Sequence, residues 1–418
     1  MGIGGYSDPE TRRSEGYLDY LYIICLAFTE GDETALLITF DNCAADQPVV
    51  EKMRAAVSPA TGIPEDRIYV VATHDHSAPS LMGDETGLRY QEELWAAAAK
   101  AAQSALDDHA TTSIYSGSTV LENMNFVRHY LLENGTYAGS NFGDFSSAAI
   151  KEHATAGDPE MVLVKFDRAD EAKQDILLVN WQTHPDHAKE NGYNNLSADF
   201  PGAVRTKVEN DTDMLCVYFT GASGNQNPDS RIQSEMHYLS MKEYGTKLGE
   251  YAVAALDSLT LVEGSGIKTA KVLYDAPIDH SWDNMLKQAN EVYDLWKNEG
   301  KTAGDALGKT YDFTSVYQAR AIRSRASMAA TRTLELNAFK IGGIAFTTGT
   351  YEMFSNAGLY VKANSPFETT VICTGNSGYI PAKEAYEYRS YESDTGYYAA
   401  GTSETLAEKY VEMLKSLQ

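Results

Sequence analysis

The sequence predicts an α/β fold in which mixed β-sheets are covered by helices. Short apolar runs rich in Val, Ile, Leu and aromatic residues have the composition of strands, and longer runs rich in Ala, Glu and Leu separate several of them. Strand and helix signals alternate along the chain instead of being gathered in separate halves, which favours α/β. At 418 residues there is room for one large domain, and we predict a single domain over 1–418.

Each predicted strand is an apolar run in which β-branched and aromatic residues dominate. In chain order these runs are 20–28, 35–40, 68–72, 161–166, 176–181, 214–220, 344–348 and 369–373. Each predicted helix is a longer stretch of helix-forming residues with polar side chains between the apolar ones. In chain order these are 86–110, 235–259, 282–299, 316–333 and 403–417. The polar region at about 275–333 carries Gly-containing turns, and we interpret it as a helical excursion within the same domain.

The composition argues against some classes of function. The formal net charge is −25, and a surface this acidic repels nucleic acid and anionic lipid headgroups. No apolar run approaches the ~18 residues of a membrane-spanning helix, and the N-terminus shows no signal-peptide pattern. Cys25, Cys43, Cys216 and Cys373 are widely spaced in apolar surroundings, so we expect buried free thiols.

Two pairs of histidines directly follow predicted strands. His74 and His76 come after the strand at 68–72, and His184 and His187 come after the strand at 176–181. Strand ends open into the cleft where α/β proteins place their active sites, and imidazole is the commonest ligand of a catalytic zinc. A single histidine in such a place is usually a capping or core residue. Two such strand ends, together with the acidic Glu352 after a third strand, predict a metal site.

Other polar residues follow further strands. A turn rich in glycine and amide side chains, residues 221–228, comes after the strand at 214–220, and Glu352 comes after the strand at 344–348. Such a turn suits exposed backbone N–H groups, although Gly, Asn and Pro also mark ordinary turns. Arg128 lies before the turn at Asn134-Gly135. From the sequence it is either a site residue or an ordinary surface arginine.

Taken together, these residues resemble the neutral/alkaline, non-lysosomal ceramidase family. The resemblance runs from Gly5-Tyr6-Ser7-Asp8-Pro9 to about Glu392. In that family a Thr-His-x-His-Ser segment supplies one zinc ligand and a second histidine close behind it, and Thr73-His74-Asp75-His76-Ser77 is similar. The resemblance thus implies that His74 is a ligand and that His76 is its neighbour. Asn180-Trp181-Gln182-Thr183-His184 resembles the segment with the second ligand, which implies His184.

The resemblance implies the remaining site residues in the same way. The family's third ligand is the Glu of a Glu-Pro-Phe-x-x-x-Gly pattern, which falls on Glu352 with Met353 in place of the Pro. A tyrosine ligand falls on Tyr379, within Gly378-Tyr379-Ile380. A second tyrosine, which helps to bind the scissile group in the family, falls on Tyr391, and the family's oxyanion-binding arginine falls on Arg128. The implied fold is that of the neutral ceramidase catalytic domain, and the implied cofactor is Zn²⁺.

The chain departs from the family pattern at one residue of the site. The family has a Ser at the zinc, in Gly-(Asp/Asn)-x-Ser-Pro-Asn, whereas Gly224-Asn225-Gln226-Asn227-Pro228-Asp229 has Asn227 in that position. An amide side chain cannot act as a nucleophile. We also expect no C-terminal immunoglobulin-like domain of the kind the family carries, since the chain ends at Gln418.

We therefore predict a zinc-dependent hydrolase of an amide (N-acyl) or ester bond, with zinc-bound water as the nucleophile. His76 would act as general base or orient the water, and Asn227 would hydrogen-bond the water or the substrate. The groups expected to stabilise the oxyanion are Arg128, Tyr391 and backbone N–H groups near Gly224 and Asn225.

Two alternatives stand beside this prediction. A catalytically inactive, zinc-bearing, ceramidase-like binding protein would have lost catalysis with its Ser, but the presence of His76, Tyr391 and an arginine favours a working enzyme. A metal-free α/β esterase is disfavoured because the sequence contains no Gly-x-Ser-x-Gly.

The expected partner is a small, soluble N-acyl or ester compound, with no nucleic acid and no transmembrane segment. The sequence indicates neither an oligomeric state nor a compartment, while the resemblance implies a secreted or cell-envelope location.

Overall fold

The computed structural model describes residues 1–6, 12–81, 85–188, 192–237, 239–375 and 378–418. Of the N-terminal segment Gly5-Tyr6-Ser7-Asp8-Pro9, the last three residues lie outside this description. Three principal β-sheets form the framework, and each combines parallel and antiparallel pairs. Within the described ranges, no helix is both long and apolar enough to cross a membrane.

The three principal sheets differ in the spatial order of their strands. Sheet 1 runs Ile23–Glu30, Glu33–Phe40 and Ile68–Ala72. Sheet 2 runs Leu215–Thr220, Ile176–Trp181, Glu160–Arg168, Thr112–Val120 and Thr260–Leu261. Sheet 3 runs Ile267–Pro277, Thr331–Ile341, Ile344–Gly349 and Thr369–Thr374.

Smaller ladders and the helices complete the fold. The two-stranded ladders pair Gly16–Tyr17 with Asn195–Leu196, Phe126–Val127 with Gln226–Asn227, and Glu352–Met353 with Tyr379–Ile380. A three-stranded sheet has the order Tyr137–Gly139, His129–Leu132, Ile150–His153. The α-helices are Gln47–Thr61, Glu85–Asp107, Asp199–Thr212, Met241–Ala254, Leu286–Glu299, Lys301–Thr310, Val316–Arg325, Ser355–Asn364, Lys383–Glu387, Tyr391–Thr395 and Thr402–Ser416.

The inner faces of the three principal sheets share one apolar core. Strand Glu33–Phe40 shows how alternation produces it: Leu37 packs into this shared core, whereas Leu36 and Ile38 face outward onto helices Gln47–Thr61 and Glu85–Asp107. Because side chains alternate between the faces of a strand, a strand buried on both faces has to be apolar throughout. That requirement explains the continuous apolar runs of the sequence.

Helices cover the outer face of each sheet. Asp199–Thr212 and Met241–Ala254 pack on sheet 2, and Ser355–Asn364 and Thr402–Ser416 pack on sheet 3. The start of helix Met241–Ala254 is fixed by a capping box, in which Ser240 and Glu243 satisfy each other's backbone N–H groups. The architecture confirms the predicted α/β class with helix-covered mixed sheets.

The structure corrects the bounds of some predicted elements. The helix predicted at 316–333 ends at Arg325, because residues from Thr331 onward form a strand of sheet 3. The helix predicted at 235–259 is Met241–Ala254. The helical excursion predicted at about 275–333 is likewise shorter, since strands of sheet 3 occupy both of its ends.

The four cysteines, all within the described ranges, form no disulfide, as expected, but they are not uniformly buried. Cys216 and Cys373 are buried within sheets, whereas Cys25 and Cys43 are half-buried. Cys25 lies on the edge strand of sheet 1, and Cys43 lies in the loop directly after the strand Glu33–Phe40. An edge strand and a loop leave a side chain less covered than a central strand does.

Candidate metal centre

The parallel strand pairs of the three sheets bring their carboxyl ends together. Ile68–Ala72, Ile176–Trp181 and Ile344–Gly349 each lie parallel to a neighbour, and each leads directly into residues singled out from the sequence. His74, Glu352 and His184 thus meet although they are far apart in the sequence. The carboxyl ends of parallel strands are where α/β folds open a binding crevice.

Three ligand atoms converge at this point. His74 Nε2 lies 3.3 Å from Glu352 Oε2, and His184 Nε2 lies 3.1 Å from the same oxygen. One ligand atom from each residue lies within 4.8 Å of the other two, and all three side chains are buried. Two imidazoles and one carboxylate form the donor set of many catalytic zinc sites.

The second nitrogen of each imidazole is held by a backbone carbonyl. His74 Nδ1 lies 2.9 Å from the Cys43 carbonyl oxygen, and His184 Nδ1 lies 2.8 Å from the Ser223 carbonyl oxygen. A carbonyl can only accept, so each Nδ1–H donates. In its neutral form, the form that binds a metal, each ring then directs its Nε2 lone pair at the other ligands. This arrangement orients metal-binding histidines in known sites.

The backbone at His74 is unusual. Its φ is 65°, in the left-handed region that few non-glycine residues adopt. The turn begins just beyond the strand Ile68–Ala72, where Asp75 N–H donates to the Asn42 carbonyl at 3.0 Å. Such local strain is found most often at functional sites.

Electrostatics favour a cation among these groups. Burial by itself would raise the pKa of Glu352, but His74 and His184 hold that pKa well below its ordinary value. Burial, with help from Arg128, lowers the pKa of His184. Burial alone would also lower the pKa of His74, but the neighbouring Glu352 carboxylate raises that pKa well above its ordinary value. A buried carboxylate and imidazoles with inward lone pairs would be stabilised by a divalent ion. The donor set therefore fits zinc.

His76 lies next to His74, one of the three converging ligands. Its Nε2 is 3.2 Å from His74 Nε2, and the edge of its ring meets the Tyr6 ring at a centroid distance of 4.8 Å. Burial, followed by the nearby His74 and His184, lowers the pKa of His76 well below its ordinary value. This shift favours the neutral form of the His76 ring.

Tyr379 is placed beside Glu352 by the backbone. The two residues are register partners in the parallel ladder of Glu352–Met353 and Tyr379–Ile380. The Tyr379 hydroxyl accepts a hydrogen bond from Arg128 Nη2 at 3.2 Å, and the Tyr391 ring lies 6.2 Å from the Tyr379 ring, centroid to centroid. Tyr379 thus lies beside Glu352 and Arg128, and Tyr391 lies beside Tyr379.

Arg128 is held in place by a carboxylate that the sequence patterns did not single out. Glu392 Oε1 accepts from Arg128 Nε at 2.8 Å and lies 2.6 Å from Nη2, while Glu392 Oε2 lies 2.7 Å from His129 Nε2. Tyr388 Oη in turn lies 2.8 Å from His129 Nδ1. The available signal was adjacency, because His129 and Glu392 directly follow the predicted Arg128 and Tyr391.

The glycine- and amide-rich turn contacts Arg128 through Asn227. Arg128 Nη1 donates to Asn227 Oδ1 at 3.3 Å. Gly224 also contacts Arg128, because its carbonyl accepts from Arg128 Nη2 at 3.0 Å, while its N–H donates to the Met353 carbonyl at 2.8 Å. The Asn225 side chain accepts from Ser355 N–H at 2.8 Å. The Gly224 N–H, one of the predicted oxyanion donors, is therefore already committed to a backbone carbonyl.

Two solved structures with a similar fold are ceramidases. The structure of neutral ceramidase from Pseudomonas aeruginosa matches with a TM-score of 0.72 and 15% identity, over 100% of this chain and 71% of that chain. A ceramidase complexed with C2 matches with a TM-score of 0.71 and 16% identity, over 100% of this chain and 73% of that chain. No family model and no curated protein matches the sequence. The predicted neutral ceramidase-like fold is confirmed.

Proposed function

We propose that this protein is a zinc-dependent hydrolase of an amide (N-acyl) or ester bond. The observation that carries the proposal is the convergence of His74 Nε2, His184 Nε2 and Glu352 Oε2, with both imidazoles oriented by backbone carbonyls. A buried group of this composition at the carboxyl ends of strands is costly to maintain without a ligand. The fold shared with ceramidases supports the same class of reaction.

The residues that would hold the metal are those three together with Tyr379, the register partner of Glu352. When bound, zinc polarises a carbonyl and lowers the pKa of water to about 7, so that water can attack near neutral pH. The neutral His76 imidazole then takes the proton that the attacking water loses, and returns it to the leaving amine or alcohol.

Arg128 is suited to stabilising the negative charge that develops on the carbonyl oxygen. It is fully charged, and Glu392 fixes its orientation before substrate arrives. A preorganised donor of this kind contributes about 3 kcal/mol to transition-state stabilisation. Tyr391, beside Tyr379, is the second donor we assign to this role.

The first test is a substrate panel assayed with zinc-loaded and chelator-treated protein. We expect short, soluble N-acyl amides or esters to be cleaved faster than long-chain ceramide in mixed micelles, since a net charge of −25 disfavours anionic lipid surfaces. Activity should disappear with zinc and return when zinc is restored. Rapid cleavage of ceramide alone would contradict the soluble-substrate part, and turnover that persists after metal removal would overturn the zinc-dependent mechanism.

The second test concerns Asn227, which contacts Arg128 and provides no nucleophile. Asn227→Ala should slow hydrolysis by about tenfold, the effect of losing one hydrogen bond worth roughly 1.4 kcal/mol, without abolishing it. No acyl-enzyme should accumulate in rapid-quench mass spectra of the parent protein. An acyl group found on Ser223, the serine of the same turn, would show that a side chain is the nucleophile.

A further inference from the structure

A second group of metal-binding side chains lies against the first. One ligand atom each of Cys43, His74 and His76 lies within 4.8 Å of the other two. The two histidines are buried, and Cys43 is half-buried in the loop after the strand Glu33–Phe40. The proposed zinc site uses His74 but does not use the Cys43 thiol.

The two ring nitrogens of His76 differ in their contacts: Nε2 lies 3.2 Å from His74 Nε2, and Nδ1 has no such contact within the described ranges. Among the residues that the structure describes, none forms a hydrogen bond with the buried His76 Nδ1. A buried polar atom ordinarily has a partner, so an unsatisfied one often marks a missing ion or water.

We propose that Cys43, His74 and His76 form a second, thiol-containing metal site, which takes soft divalent ions such as Cd²⁺. Thiolate ligands select soft metals, whereas the Glu352 carboxylate of the first group is a hard ligand. As the metal–sulfur bond forms, the Cys43 thiol passes its proton to solvent, because only the thiolate binds.

The two sites exclude each other because they share His74. A neutral imidazole has one nitrogen lone pair to give, the other nitrogen being its N–H. An ion held by Cys43 and His76 through His74 therefore withdraws that ligand from His184 and Glu352. If the proposed function is correct, the soft ion also removes the general base, so it should inactivate the hydrolase; the binding itself does not depend on that function.

The test titrates Cd²⁺ into metal-free protein and follows the ultraviolet thiolate-to-metal charge-transfer band. We expect the band in the parent protein and its loss in Cys43→Ser, with cadmium affinity lowered about tenfold or more. Cys25→Ser is the matched control, since Cys25 is also half-buried and burial raises the pKa of its thiol to about 12. The control should keep the band, and Cys43→Ala provides a second variant if the serine protein is poorly folded.

A second measurement tests exclusivity without any enzyme assay. Zinc-loaded protein is titrated with Cd²⁺ while released zinc is detected with a chromogenic chelator. Zinc should appear in step with the charge-transfer band, and Cys43→Ser should retain its zinc at cadmium concentrations that empty the parent. A missing band in the parent, a band that survives in Cys43→Ser, or a band that grows without zinc release would each overturn the proposal.

Discussion

His184→Ala is expected to leave the purified protein without bound zinc. The parent should carry about one zinc per chain, as a single site of this composition implies, and the variant essentially none. His184 supplies one of the two imidazole nitrogens and lies 3.1 Å from Glu352. Removing it leaves one imidazole, that of His74, beside Glu352 and the proposed ligand Tyr379, and the loss of this strong nitrogen ligand should abolish tight binding. Elemental analysis of protein purified without chelators measures the effect directly.

The same variant should lose the stabilisation that zinc gives to the folded state. At a free concentration 100 times its Kd, a ligand stabilises by about 2.7 kcal/mol, so added zinc should raise the unfolding temperature of the parent but not of His184→Ala. His109→Ala is the control, because His109 is exposed and its Nε2 lies 3.4 Å from Thr29 Oγ1, outside the cluster. Equal zinc content in the parent, His184→Ala and His109→Ala would show that His184 is not a zinc ligand.

The sequence predicted the parts of this fold that depend on local pattern. Strands buried on both faces, such as Ile68–Ala72, are continuous apolar runs and stand out. Strand Ile267–Pro277 was missed because its outer positions are polar, and its burial alternates only weakly. Helix Gln47–Thr61 carries an internal Pro59, which masks its helical pattern in the sequence.

The candidate site was predictable to the extent that its residues follow strands or match a motif. His74, His184 and Glu352 follow strands, and the structure brings them together. Glu392 contacts Arg128 and His129, which lie 264 and 263 residues away in the sequence. No spacing rule applied to the sequence could predict these contacts. The direction of a backbone N–H is likewise set by tertiary contacts, which is why Gly224 proved to be engaged with Met353.

The largest effect on stability is expected at Glu392. This carboxylate is fully buried and is shared by Arg128 and His129, at 2.6 Å and 2.7 Å. Glu392→Gln leaves the Arg128 charge buried without a counter-charge, and removing one partner of a buried ion pair costs about 3–5 kcal/mol. Urea unfolding at pH 7 should show this loss, with zinc held at a fixed concentration.

The exposed ion pair of Asp312 and Arg389 is a control for the buried pair of Glu392 and Arg128. Asp312 lies 2.9 Å from Arg389, but its side chain is 84% exposed, so Asp312→Asn should change the free energy of unfolding by no more than about 1 kcal/mol. The double variant Arg128→Leu/Glu392→Leu should recover part of the loss, since it removes the uncompensated charge together with its partner. A double variant as unstable as the sum of the two single leucine variants would show that the charges act independently.

The stability lost in Glu392→Gln should also become smaller as the pH falls. Burial opposes ionisation of Glu392, but His129 and Arg128 lower its pKa from 4.5 to about 2. Between pH 4.5 and about 2, Glu392 is more protonated in the unfolded chain than in the folded chain. The ionised Glu392 therefore contributes its full stabilisation above about pH 4.5, and this stabilisation is lost as the pH falls toward 2. The difference in stability between the parent and Glu392→Gln should therefore shrink across that range. A difference that stays constant from pH 7 to the acid limit would mean that Glu392 acts through packing, and that Arg128 finds its counter-charge elsewhere.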